Sequence, residues 1–202
     1  MQSFEELLRE AETTHGHLCA GQILGVRMAL LGLSLLGIED PRGTDRKRLI
    51  TYVEIDRCAT DAIMVVTGCR PGKRALKLLD FGKMAATFCD LASGRAVRVV
   101  ALESSKDAAR ALHPEITDKN HQQMAAYREL PDDQLFSHQW VSVDIRPEDL
   151  PGYKSGRIVC AECGEGINFA RHDTRADGAN VCQSCASPAT RYWQPLAGGT
   201  TQ

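Results

Sequence analysis

The sequence predicts an α+β fold in which a mixed helix and sheet core is followed by a small cysteine-rich module. The chain has 202 residues, which is more than one typical domain of about 150 residues. Helical and strand-like hydrophobic patterns both occur, without a regular β-α-β alternation. Four of the eight cysteines lie in two C-x2-C pairs near the C-terminus. We therefore expect an α+β core domain over residues 1–150 and a four-cysteine zinc finger with its tail over residues 151–202.

Two helices open the predicted core. Ser3 and Glu6 form a capping-box pattern, which predicts a short helix that ends before His15. A second helix is expected over residues 19–36, and it is apolar on nearly every side, as a buried central helix is. Four small residues of this helix fall on one face: Gly21, Gly25, Ala29 and Gly32. Such a face favours close approach by another helix or a second chain. The alternative is that these small residues share a face by accident.

The rest of the core mixes strands and helices. Strands are expected at residues 49–55, 84–91, 96–103 and 139–145. Helical spacing predicts a helix that begins near Cys58, and two more at residues 106–112 and 118–130. Residues 146–152 are typical of a linker.

Composition excludes several classes of protein. The 24 Lys and Arg nearly balance the 26 Asp and Glu, and aromatic residues make up only 5%, so nucleic-acid binding is not expected. The N-terminus lacks the apolar segment of a secretory signal. The longest apolar run, residues 28–38, is shorter than the roughly 20 residues of a membrane span. We expect a cytoplasmic protein whose cysteines bind metal more often than they form disulfides.

The C-terminal cysteines have the spacing of a zinc finger. Cys160 and Cys163 form one C-x2-C pair, Cys182 and Cys185 form the other, and 18 residues separate them. Tetrahedral Zn²⁺ takes four such thiolates in a closed structural site. A redox pair or disulfides are the alternatives, and they lack a supporting fold pattern or a secretory context. The near-neutral finger is expected to dock on its own core or on a protein partner.

A second set of metal-ligand side chains lies near the N-terminus. His17 and Cys19 lie at the start of the buried helix, and Cys58 lies at another predicted helix start, one turn before Asp61. Helix N-termini favour thiolates. Cysteine and histidine from two helix starts suit zinc or another borderline metal, with one coordination position open. Buried structural cysteines and a capping histidine are the alternative.

These residues belong to an ordered series that resembles the E-subunit family of formylmethanofuran dehydrogenase and its bacterial relatives. The series consists of His15-Gly16-His17-x-Cys19-x-Gly21, Gly25-x-Arg27-x-Ala29, Glu54-x-x-x-Cys58-x-x-Asp61-Ala62, Gly68-Cys69, Gly72-Lys73, Asp80-x-Gly82-Lys83, Leu135-Phe136 and the C-terminal cysteine pairs.

The resemblance implies an α+β core, a treble-clef zinc finger and a homodimer. It also implies a cleft that holds a second metal ion through His17, Cys19 and Cys58. Within that cleft, Cys19, Cys58 and Asp61 are the implied catalytic residues, with Asp61 orienting a ligand or accepting a proton. A partner redox enzyme in molybdenum- or tungsten-linked one-carbon chemistry follows from the same resemblance.

One loop departs from the family pattern. The family usually has Thr after the Gly-Cys pair and a Gly-Lys-Gly-Asn-Leu loop, whereas residues 70–76 here are Arg-Pro-Gly-Lys-Arg-Ala-Leu. Arg70 and Lys73 are candidate anion-binding residues, and a solvated helix face is the alternative. Three functions stay open: a metal-binding protein that is or is not catalytic, an adaptor that binds a partner through its finger, and a metal or oxyanion carrier.

Overall fold

A computed structural model describes residues 2–194, so the tail from residue 195 onward lies outside the described residues. The chain divides into two compact units, Met1–Ile145 and Arg146–Gln202. None of the helices within residues 2–194 is long and apolar enough to cross a membrane.

The first unit combines helices with a mixed sheet, which confirms the predicted α+β class. Its described helices are α1 (Phe4–His15), α2 (Ala20–Leu36), α3 (Cys58–Thr67), α4 (Ser105–Leu112), α5 (Lys119–Glu129) and α6 (Asp132–Leu135). Its strands are β1 (Leu49–Val53), β2 (Leu76–Leu78), β3 (Ala85–Asp90), β4 (Ala96–Ala101) and β5 (Phe136–Val141). The sheet order is β2-β1-β3-β4-β5; β1 and β2 run parallel, and the other neighbours run antiparallel.

The sheet differs from the prediction at its two edges. The last strand occupies residues 136–141 and not 139–145, because its register with β4 runs from Ala101↔Phe136 to Ala96↔Val141. The sequence pattern predicts neither strand β2 nor the one-turn helix α6. Strand β2 and helix α6 are both short, and most residues of β5 are exposed. The two edge strands, β2 and β5, therefore show no clear hydrophobic alternation in the sequence. With β2 in place, β1, α3 and β2 form a parallel crossover unit.

Helix α2 lies at the centre of the core and confirms the predicted close approach. A Cβ at Gly25 would lie 2.6 Å from the carbonyl oxygen of Ala59, so α3 packs directly on the α2 backbone there. A Cβ at Gly32 would collide with the ring of Phe88 on β3. The capping box at α1 is also confirmed, since the Glu6 N–H donates to Ser3 Oγ and Ser3 N–H donates to Glu6 Oε2.

The second unit is small. Its described elements are β6 (Ile158–Val159), β7 (Gly166–Ile167), β8 (His172–Thr174), β9 (Asn180–Cys182) and α7 (Gln183–Ala186). Strand β6 pairs with β7, and β8 pairs with β9. Its buried apolar cluster consists of Cys160, Ile167, Val181 and Cys185, so two of the four cysteines form half of its core.

Candidate metal centres

The four C-terminal cysteines converge on one point, as their spacing predicts. Their Sγ atoms all lie within 4.8 Å of one another. The Sγ atoms of Cys163 and Cys182 are 3.9 Å apart. Sulfurs at about 2.3 Å from a tetrahedral zinc ion are separated by roughly 3.8 Å, so the donor set and its spacing suit zinc. A metal-binding cluster is therefore present, and the identity of the metal stays a prediction.

The backbone of the finger prepares these thiols for a metal. The N–H of Cys182 donates to Cys160 Sγ at 3.3 Å. Backbone hydrogen bonds from Cys163 and Cys182 lower the pKa of Cys160 to about 6. The hydroxyl of Ser184, 3.1 Å from Cys182 Sγ, lowers the pKa of Cys182 in the same way. Burial, followed by the neighbouring thiols, raises the pKa of Cys185 to about 12. Because the thiolate is the form that binds metal, Cys160 and Cys182 are the two ligands that these hydrogen bonds prepare.

The core thiols come from two helix starts. Cys19 is the N-cap residue of α2, and Cys58 is the first residue of α3, as the sequence predicts. The two half-buried residues lie side by side, because a Cβ on Gly21 would lie 3.5 Å from Cys58 Cβ and 3.7 Å from Cys19 Sγ. Burial, followed by the neighbouring Cys19 thiol, raises the pKa of Cys58.

A cavity of about 620 Å³ opens beside the two thiols. His17, Cys19 and Cys58 all line it, together with residues from β4, α4 and α5. Its volume lies within the range of sites that hold small molecules, about 300–1,000 Å³. The three side chains proposed from sequence as ligands thus share one cavity. Among residues 2–194, however, ligand atoms converge in a group of three or more only at the finger cysteines.

Asp61 contacts His15, a histidine of the N-terminal motif that is not among the predicted ligands. The Oδ2 atom of Asp61 lies 2.7 Å from Nδ1 of His15. The His15 ring in turn lies 4.8 Å from the His17 ring, centroid to centroid. Neither Asp61 nor His15 lines the cavity, and the contact between the His15 and His17 rings is what connects this pair to it. The motif contains His15, but a partner 46 positions away gives no local signal.

The predicted anion-binding residues lie elsewhere in the first unit. Arg70 precedes a short 3₁₀-helix, Pro71–Lys73, and both Arg70 and Lys73 are exposed. Neither lines the cavity beside the thiols. Anion binding by this pair stays a prediction, separate from the thiol site.

Comparison with known proteins supports the resemblance. A family model described as "FmdE, Molybdenum formylmethanofuran dehydrogenase operon" matches residues 14–137, which include both core thiols and exclude the finger. A probable S-adenosyl-L-methionine-binding protein of Archaeoglobus fulgidus is 31% identical over 201 residues, covering 89% of this chain. That match covers 52% of the relative, so the chain spans about half its length.

A solved structure shares the fold. It is the crystal structure of an FmdE-like protein from Syntrophus aciditrophicus, related by its name to tungsten formylmethanofuran dehydrogenase, with a TM-score of 0.61 and 20% sequence identity. The superposition covers 94% of this chain and 95% of that one. At this identity the likeness concerns the fold alone.

Proposed function

The chain belongs to the FmdE family of formylmethanofuran dehydrogenase proteins, and from that premise we propose that it is a metal-dependent protein with two unlike centres. The four finger cysteines hold a structural zinc ion. Cys19, Cys58 and His17, which line the same cavity, would hold a second divalent metal. The observation that carries this proposal is that Cys19 and Cys58, which lie side by side at two helix starts, line one cavity of about 620 Å³ together with His17.

The donor set of the core centre suits a borderline metal such as zinc, since it consists of two sulfurs and one imidazole. A metal bound there supplies Lewis-acid polarisation of a ligand oxygen. The protein's own residues orient the ligand side chains and limit the access of water. Asp61 holds His15 by a 2.7 Å hydrogen bond, and His15 packs against His17, which limits the positions of the imidazole ligand. Apolar walls reduce the water content of the cavity, and they come from Leu24, Ile55 and Met84.

The wider role that we propose is accessory to molybdenum- or tungsten-linked one-carbon redox chemistry, as a homodimer with a partner redox enzyme. The family description and the name of the Syntrophus protein support this role. The name of the Archaeoglobus relative adds S-adenosyl-L-methionine to the small molecules that merit testing in the cavity.

Metal counting by mass spectrometry on the full chain tests the core centre. We expect two metal ions per wild-type chain and one in the Cys19→Ser/Cys58→Ser variant. Cys89→Ala is the matched control, because Cys89 is buried in β3 outside both cysteine sites and burial raises its pKa to about 12. A double variant that retains as much metal as the wild type, with an unchanged circular dichroism spectrum, would overturn the ligand assignment.

Two other functions make different predictions. An adaptor that uses its finger would lose partner binding with the finger cysteines and keep it in the Cys19→Ser/Cys58→Ser variant. A metal or oxyanion carrier would use Arg70 and Lys73, whose exposed position outside the cavity gives that function less support.

A further inference from the structure

Helices α4 and α5 also contribute residues to the lining of the cavity, and the proposed metal site does not use them. Three side chains of α5 line the cavity at spacings of three and four residues, and so share one helical face: Asn120, Gln123 and Tyr127. Asn120 is exposed, Gln123 is half-buried and Tyr127 is only 2% exposed. This polar face of α5 therefore extends from the protein surface into the interior.

These polar groups lack good partners in the protein. Within residues 2–194, the side-chain amides of Asn120 and Gln123 make no hydrogen bond. The hydroxyl of Tyr127 lies 3.4 Å from Ser105 Oγ, which is longer than a good O–H···O bond. Ser105 already donates its proton to the carbonyl oxygen of Leu102 at 2.6 Å. Ser105 Oγ is therefore the acceptor for the phenol proton, over a long contact, and a ligand oxygen at about 2.7 Å would be a better acceptor.

The charge of the cavity is positive. Its charged lining residues are Arg57, Lys106 and Glu103. Lys106 pairs with Glu103, and its ammonium group keeps further protons to donate. Arg57 makes no ion pair with another residue of the described chain. Cys19 and Cys58 do not change this net positive charge, whether both are neutral thiols or both are thiolates bound to one divalent cation.

We propose that the cavity binds a small organic carboxylate, whose carboxylate group is held by Lys106, Gln123 and Tyr127. The hydrocarbon part of the ligand then lies along the apolar walls described above, and its other end meets the Cys19–Cys58 centre. The ligand class thus follows from a lining that combines these donors with apolar side chains. This inference rests on the proposed function only in that it places the ligand's far end at the proposed metal centre.

Calorimetric titration of the full chain tests the proposal. The probes are straight-chain carboxylates from butanoate to decanoate, each compared with its neutral primary amide of the same length. We expect saturable binding of one carboxylate per chain and at least tenfold weaker binding of the matching amide. Lys106→Gln should weaken carboxylate binding by at least tenfold, and Tyr127→Phe by about three- to tenfold. Lys119→Gln, at the start of α5 outside the cavity, should bind as the wild type does.

Equal affinity for a carboxylate and its amide would overturn the proposal, and so would wild-type affinity in both the Lys106→Gln and Tyr127→Phe variants. Failure to bind any member of the series would overturn it as well. The metal count distinguishes a failure of the carboxylate proposal from a failure of the proposed metal centre. Lys106→Gln and Tyr127→Phe leave that count unchanged, whereas Cys19→Ser/Cys58→Ser lowers it. A full metal count in the cysteine variant would therefore overturn the metal centre alone.

Discussion

The two cysteine sites of this protein differ in what holds their thiols together. The finger cysteines come from two short C-x2-C turns in a unit whose buried cluster consists of four residues, two of them cysteines. The core thiols come from the starts of α2 and α3, which the packing at Gly25 holds together. We therefore expect the finger to depend on a bound metal for its fold, and the core to keep its two thiols in place without one. A thiol on an independently stable scaffold can take part in chemistry, because losing its metal does not unfold it.

The largest effect is expected in the finger. Cys185→Ser removes one of four converging thiols, and structural zinc contributes about 10–16 kcal/mol to the folding of finger peptides. We expect one metal ion fewer per chain and loss of dispersed NMR signals from residues 158–186, with the signals of the first unit retained. Ser184→Ala, which removes a neighbouring hydroxyl but no ligand, should keep the metal. A Cys185→Ser variant with an unchanged metal count would contradict the expectation that the finger needs all four cysteines to hold its metal.

An intermediate effect is expected where α2 meets α3. In Gly25→Ala the new Cβ would lie 2.6 Å from the Ala59 carbonyl oxygen, so the helices must separate. Overpacking of this kind costs about 1–3 kcal/mol, and we expect that loss in the urea unfolding free energy of the core. Gly21→Ala is the matched control on the same helix, since its Cβ would lie at an ordinary 3.5 Å from Cys58 Cβ. Equal stability of the two variants would argue against backbone packing as the scaffold of the thiol pair.

The smallest effect is expected at Asp61. Asp61→Asn weakens the hydrogen bond that orients His15, and groups that orient metal ligands typically change metal affinity by about 10- to 100-fold. Because Asp61 acts here through two histidines, we expect about a tenfold loss at the core centre, measured by competition with a chelator. The finger metal and the melting temperature should not change. Asp56→Asn, on the exposed segment before Cys58, is the control. An unchanged core affinity would show that the His15–Asp61 pair does not position the site.

The finger was predictable from sequence because its geometry is local. Two C-x2-C pairs and the turns between them determine where all four sulfurs lie. The helix starts at Cys19 and Cys58 were also predictable, from a glycine-flanked motif and helical spacing. The residue types at these two helix starts also indicated a shared metal site, and the family resemblance strengthened that prediction, although the two cysteines are 39 positions apart (19 to 58).

Other parts of the site depend on tertiary structure and left no pattern in the sequence. The bond between His15 and Asp61 joins two elements that are remote in the chain. The polar face of α5 consists of Asn120, Gln123 and Tyr127. In the sequence it cannot be distinguished from the polar face of an ordinary surface helix, and only the structure shows that it lines a cavity. Strand β2 is too short to show a periodicity, yet it makes α3 a crossover between parallel strands.

That crossover makes the core thiol pair depend on distant parts of the chain. Helix α3 carries Cys58, connects the parallel strands β1 and β2, and packs on α2, at whose start Cys19 lies. The finger cysteines all lie within residues 160–185, so only the 18 residues between the two pairs have to form a loop. We therefore expect the finger to form its metal site as an independent unit, and the proposed core centre to form only in a fully folded first unit.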